Sequence, residues 1–154
     1  MKSGILTCVS AIALFVPAAP VRLTAQNQLE HNETKYVVFS LGAPLGGTSS
    51  GAAGVNSLGW AAGDSNLTGD QDENAVLWLY GFPLGLGTLG GPNSAVLWPG
   101  LNNQGQVVGI SDTSHTDPLG EEWSCSAFFP ASHSGHACVG FVWQWDKGMA
   151  ALPT

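Results

Sequence analysis

Leu86-Gly87-Thr88-Leu89-Gly90-Gly91-Pro92-Asn93-Ser94-Ala95-Val96-Leu97-Trp98-Pro99-Gly100-Leu101-Asn102-Asn103-Gln104-Gly105-Gln106-Val107-Val108-Gly109 is the stretch that decides the fold. It joins a Gly-rich turn, an apolar run ending at Trp98, a second turn at Asn102–Gly105 and a strand-like Gln106–Gly109. Most of it occurs once already, upstream. Leu45-Gly46-Gly47 precedes Leu89-Gly90-Gly91 by 44 residues, and Gly54 to Gly63 (GVNSLGWAAG) precedes Gly100 to Gly109 (GLNNQGQVVG) by 46. The chain is therefore a tandem repeat. A period of this length, rich in Gly, Trp and short β-branched runs, predicts a unit of about four short antiparallel strands, as in a propeller blade. Asn56-Ser57-Leu58-Gly59 and Asn102-Asn103-Gln104-Gly105 keep Asn first and Gly fourth, as a tight hairpin turn requires.

The phrases resemble the extracellular HAF-repeat family of bacterial proteins. The resemblance lies in Leu86 to Gly91, in Gly100 to Gly109, and in an Ala-aromatic-Leu-Trp-like phrase represented by Ala75-Val76-Leu77-Trp78 and Gly140-Phe141-Val142-Trp143. It covers about Tyr36 to Thr154. The slot for the family's His-Ala-Phe reads Asn74-Ala75-Val76 and Val139-Gly140-Phe141, and His136-Ala137 sits three residues early, so no role passes to that histidine. The resemblance implies a secreted repeat protein with a propeller-like β fold and no assigned chemistry.

Composition agrees with sheet. Charged residues make up 10% of the 154, hydrophobic ones 44%, with 21 Gly and 6 Trp, which suits neither long solvated helices nor disorder. Met1 to Ala25 reads as a signal peptide: Lys2 forms the n-region, Ile5 to Ala19 the apolar core, and Leu23-Thr24-Ala25 the cleavage site before Gln26. Pro17 and Pro20 break the run, which is short for a retained anchor, and Cys8 lies too early to be a lipoprotein cysteine. Its removal leaves Lys35 and Lys147 against all 11 acidic residues, a balance of −9. Such a chain offers no footprint for nucleic acid, and an anionic membrane surface would repel it.

Residues 26–35 form a polar lead-in to a repeat region at 36–154. Within that region Tyr36 to Leu41 alternates as a first strand, Gly46 to Gly54 is turn-rich, and Trp60 to Gly63 is a short strand. Ala75 to Tyr80 is the firmest strand of the first half, continued past Gly81 by Phe82 to Leu86. In the second half Phe141 to Trp145 is a strand, Asp146-Lys147-Gly148 turns, and Met149 to Leu152 opens the next phrase. Asn32-Glu33-Thr34 and Asn66-Leu67-Thr68 fit the glycosylation triplet, a pattern common by chance. The second repeat is 19 residues longer between Gly109 and Trp143 than the first between Gly63 and Trp78. The excess falls within residues 112–138, which hold both mature cysteines, and insertions in repeat proteins emerge on one face, often the binding face.

Cys125 and Cys138 are expected to pair in an oxidising compartment. The alternatives are a redox pair or a metal site with His133 and His136, in a spacing that belongs to no familiar zinc module. Asp64 to Asp72 carries oxygen ligands in the rhythm of a calcium loop, but Ala75 stands where the closing bidentate Glu belongs and Glu73 is two places early; a solvated hairpin loop is the preferred reading. Glu121-Glu122 would point to opposite faces of a strand, wrong for a glycosidase pair. Ser111, Asp112, Ser114 and His115 cluster without a nucleophile elbow. Of the tryptophans, Trp78, Trp98 and Trp143 are expected in the core or between blades, whereas Trp123 and Trp145, flanking the insertion, are the candidates for ligand contact.

The sequence thus predicts an all-β protein of tandem antiparallel repeats, propeller-like and incomplete, with a small sandwich or barrel as the alternative. It is expected to be exported and to act as a binding or structural surface module, with no catalytic, cofactor or metal residues assigned. Its partners would be an extracellular ligand or further repeats of its own kind. The rival readings are a secreted hydrolase with its site in 112–138, and a fragment of a longer propeller that has no function of its own and continues past Thr154.

Overall fold

A computed structural model describes residues 37–120, 123–130 and 134–153. The signal at 1–25, the lead-in, Glu121-Glu122 and His133 lie outside the described residues, as does the side chain of Trp123. Every strand described belongs to one compact unit, which begins at Val38.

The chain forms two four-stranded antiparallel meanders, one per repeat. The first sheet is β1 (Gly46–Val55), β2 (Ala61–Leu67), β3 (Glu73–Leu79) and β4 (Phe82–Gly87). The second is β5 (Gly90–Leu101), β6 (Val107–Thr116), β7 (His136–Gln144) and β8 (Gly148–Ala151), with one short helix, α1 (Trp123–Ser126), between β6 and β7. The fold is all-β, as expected, and neither sheet closes into a barrel.

Register explains the two repeat spacings. Gly46 and Gly90 open equivalent strands 44 residues apart, and each is followed by the same two-residue excess over its partner strand. A second bulge then adds one residue in β1 (at Ala53) but three in β5 (within Leu97–Gly100), so the spacing grows to 46 by the next turn. The Trp98–Pro99 peptide in that larger bulge is cis. Trp98 itself is 83% exposed, which corrects its assignment to the core: the bulge lifts the residue out of the ladder.

Three other expectations need correction. Gly46 to Gly54 is a full edge strand rather than a turn, because its Gly, Ala and Ser side chains let β1 lie close on β2. A Cβ on Gly63 would strike the carbonyl of Gly51, as one on Gly109 would strike that of Ala95 in the second sheet. Conversely, residues 37–43 are not a strand; they have no ladder partner. Leu41 to Leu45 run over the first sheet as a strap: Trp78 Nε1–H donates to the Leu41 carbonyl (3.2 Å), Ser50 Oγ to that of Gly42 (2.6 Å), and Leu45 N–H to Ser65 Oγ (3.4 Å). Finally, Tyr80-Gly81 does not continue one strand into the next. Both residues have positive φ (52° and 90°), the signature of a two-residue type I′ hairpin joining β3 to β4.

The sheets share one core. Ala62, Ala75 and Leu77 on one face of the first sheet, with Leu86, pack against Val107, Phe141 and Trp143 on the second, and Val96 of β5 lies among them. The opposite face of the first sheet, with Val76 and Trp78, is also buried, whereas the opposite face of the second, with Val108, is half open.

Candidate binding surface

Equivalent repeat positions converge where the β1–β2, β3–β4, β5–β6 and β7–β8 turns meet. The two Asn-x-x-Gly turns have one construction: Asn56 Oδ1 accepts from the N–H of Leu58 and Trp60 (both 3.0 Å), and Asn102 Oδ1 from those of Gln104 and Gln106 (3.0 and 2.9 Å). This is why Asn opens both turns. The turns also bond each other. Asn56 Nδ2 donates to the Asn102 carbonyl (3.1 Å), and the N–H and Oγ of Ser57 both donate to Asn103 Oδ1 (3.0 Å each). The sheets are thereby clamped at this end.

On the clamp sits a chain of aromatic rings. Trp60, directly after the first turn, meets Tyr80 edge-on with centroids 6.3 Å apart, and meets Trp145 at the same separation; Trp145 in turn lies 5.1 Å from Trp143. Each ring edge faces a neighbour's π face, the arrangement that aromatic quadrupoles favour. Gly105 makes the junction possible: its φ is +77°, and a Cβ there would come within 2.8 Å of the Trp60 ring and 3.0 Å of Trp145 Nε1. Trp145 is 51% exposed and Tyr80 more so, while Trp60 Nε1–H is enclosed without an acceptor among the described residues. Gln104, Gln106, Gln144 and Asp146 surround Trp145 in a shallow cleft of about 230 Å³. A flat, partly exposed ring bordered by amides and a carboxylate can stack on an apolar ring face while bonding its hydroxyls.

Of the sequence candidates, Trp145 thus lies in this surface. Trp60 and Tyr80 were missed, though the spacing carried a signal for one: Trp78-x-Tyr80 and Trp143-x-Trp145 place an aromatic at the same repeat position.

Cys125 on α1 and Cys138 on β7 form a disulfide with Cα atoms 6.4 Å apart. The zinc alternative is thereby corrected, since both thiols are consumed; His136 instead meets the Thr113 carbonyl through Nδ1 (2.8 Å). The ends of the insertion prolong the β6–β7 hairpin, with Thr116 paired to His136. Of Asp64 to Asp72, the first four residues belong to β2 and the rest make the β2–β3 hairpin turn. Asp70 there bonds Thr48 N–H (2.7 Å), Thr48 Oγ1 (2.9 Å) and Asn66 Nδ2 (3.1 Å), contacts that hold its carboxyl below the usual range. No three His, Cys, Asp or Glu among the described residues are grouped to hold a metal ion. Ser111 and Asp112 are both buried in structural bonds, to Leu89 N–H (2.9 Å) and Asn93 Nδ2 (3.1 Å), away from the exposed His115.

Compared with family models, curated proteins and solved structures, the chain matches none.

Proposed function

We propose that this chain is an exported β-repeat binding module of HAF-repeat type that holds polysaccharide on its turn-end surface, with Trp145 as the stacking ring. The observation that carries this reading is the aromatic chain Tyr80–Trp60–Trp145, set rigidly by the turn clamp and bordered by Gln104, Gln106 and Gln144. Export is supported by the Cys125–Cys138 disulfide, a bond that persists in oxidising compartments, together with the signal-like Met1 to Ala25. No helix among the described residues is long and apolar enough to cross a membrane.

The test is depletion of the purified exported protein by a panel of insoluble polysaccharides, followed by titration of its tryptophan fluorescence with soluble fragments of any that bind. Saturable binding without release of sugar is expected. Trp145→Ala should weaken it roughly fivefold to tenfold, the scale of one aromatic contact, while Trp98→Ala should not. Absence of depletion across the panel defeats the proposal, and release of reducing ends would favour the hydrolase instead.

A further inference from the structure

The Trp145 cleft has a counterpart in the first repeat. Its walls are the Asn102–Gly105 turn and the hairpin joining β7 to β8. At the same place in the first sheet, between the Asn56–Gly59 turn and the Tyr80-Gly81 hairpin, a second cleft of about 380 Å³ opens. Gly59 stands 46 residues before Gly105 and Tyr80 65 before Trp145, the offsets that relate β2 to β6 and β3 to β7. Phe39, Ser40 and Leu41 complete its lining. Trp60 stands between the clefts with its ring 6.3 Å from both Tyr80 and Trp145, so those two rings lie no further apart than twice that distance.

Tyr80 holds its ring at the expense of the turn. Its φ is +52°, the left-handed conformation that the first position of a type I′ hairpin demands and that Asn, Asp or Gly adopts with least strain. Asp70, the other non-glycine residue with positive φ among the described residues (φ +56°), is of a type that tolerates it and is fixed by bonds to Thr48 and Asn66. Tyr80 instead touches Trp60 by an edge and stays 71% exposed. Strain kept in order to present an aromatic ring to solvent marks a residue held for binding rather than for packing.

A site repeated in this way suits a ligand built of repeated units. No Lys or Arg is among the described residues lining either cleft, and Asp146 adds a carboxylate to one of them, on a chain whose formal net charge is −7. A polyanionic glycan would be repelled. On the reading that Trp145 stacks on polysaccharide, we infer that the Tyr80 cleft is a second subsite and that one uncharged polysaccharide chain spans both. It stacks on Tyr80 at one and on Trp145 at the other. Filling the second subsite with the same chain adds its contacts without a second loss of translational freedom, so affinity rises with chain length until both are occupied.

Isothermal titration calorimetry of the exported protein tests this with cello-, xylo- and N-acetylchito-oligosaccharides, from disaccharide to hexasaccharide, and with oligogalacturonates as the charged counterpart. In the series that binds, the hexasaccharide should bind at least about fivefold more tightly than the disaccharide. Tyr80→Asn, which suits the turn, should keep the circular dichroism spectrum, abolish that gain and leave the affinity for the disaccharide unchanged. Trp145→Ala should weaken every length. Oligogalacturonates should bind at least about tenfold more weakly than the neutral chains. Should Tyr80→Asn fail to fold, Phe39→Ser, at an 80% exposed position in the same cleft, takes its place. Affinity independent of length, or a hexasaccharide affinity untouched by the folded variant, overturns the second subsite and leaves the Trp145 reading standing. Equal affinity for oligogalacturonates overturns the assignment to uncharged chains. Binding of none of the series overturns both subsites together.

Discussion

Glu73 illustrates how a single residue carries a cost that the fold then absorbs. It opens β3 almost fully buried; its N–H is satisfied by Asn93 Oδ1 (3.0 Å), but its own Oε1 has no partner among the described residues. Burial first, and then the nearby Asp64 carboxylate, push its pKa up to about 8; burial also raises that of Asp64. The folded pKa lies above the unfolded one, so the folded state binds the extra proton. The associated stability is whole below about pH 4.5 and is lost as pH rises through about 8. Stability should therefore decline from pH 5 to pH 8.5, and Glu73→Gln should flatten the decline and gain about 1–2 kcal/mol at the alkaline end. Urea titrations at the two pH values check both statements. A wild-type curve that rises with pH would refute the assignment. In the sequence Glu73 was visible only as a calcium ligand two places out of step. Its burial arises from the second sheet, whose Asn93 reaches it across 20 residues, and no local pattern encodes that.

At the scale of the element, the repeat phrases were legible because glycine and asparagine have narrow geometric uses. The Asn-x-x-Gly turns form where the phrases placed them, and each repeat yields four strands, as the period predicted. β1 was not legible, because a strand of Gly, Ala and Ser shows no hydrophobic alternation; what defines it is the crowding against β2. Gly109→Ala should thus cost at least about 2 kcal/mol, since the added methyl meets both the Ala95 carbonyl and the Phe141 ring. Gly120→Ala, where a Cβ meets nothing within 4 Å, gives the comparison for left-handed strain alone, its φ being +67°. Chemical denaturation of the two variants decides the matter, and equal losses would mean that close approach is irrelevant. The insertion obeys the same logic. Cys125–Cys138 ties α1 to a residue paired with Asp112, so the disulfide holds the extended part of the β6–β7 hairpin. Cys125→Ser/Cys138→Ser should lose about 3 kcal/mol, the chain-entropy value for a closed loop of this length. Hydrogen exchange should place the loss at Thr113–Thr116 rather than in the first sheet.

For the whole molecule, the question is whether two repeats behave as two domains. Repeat arrays bury their faces only against neighbours, and a single sheet of this kind has no core of its own. Here Phe141 and Trp143 of the second sheet share one cluster with Ala62, Ala75 and Leu77 of the first, and the turn clamp at Asn56 and Asn102 joins the far ends. The strap over Trp78 buries the one face of the first sheet that the second does not reach. Each sheet is therefore a condition of the other's stability, and unfolding should follow one cooperative transition. The decisive variant is Phe141→Ala, which removes a fully buried ring from the shared cluster and should cost about 3–5 kcal/mol. Because the ring belongs to a cluster built from both sheets, amide exchange in β2 and β3 should accelerate together with that in β6 and β7, by the same free energy. Native-state hydrogen exchange under mild denaturant reads this directly. Were β2 and β3 to keep their protection while β6 and β7 lost theirs, the sheets would be independent units, and the shared core would contribute nothing to the stability of the first.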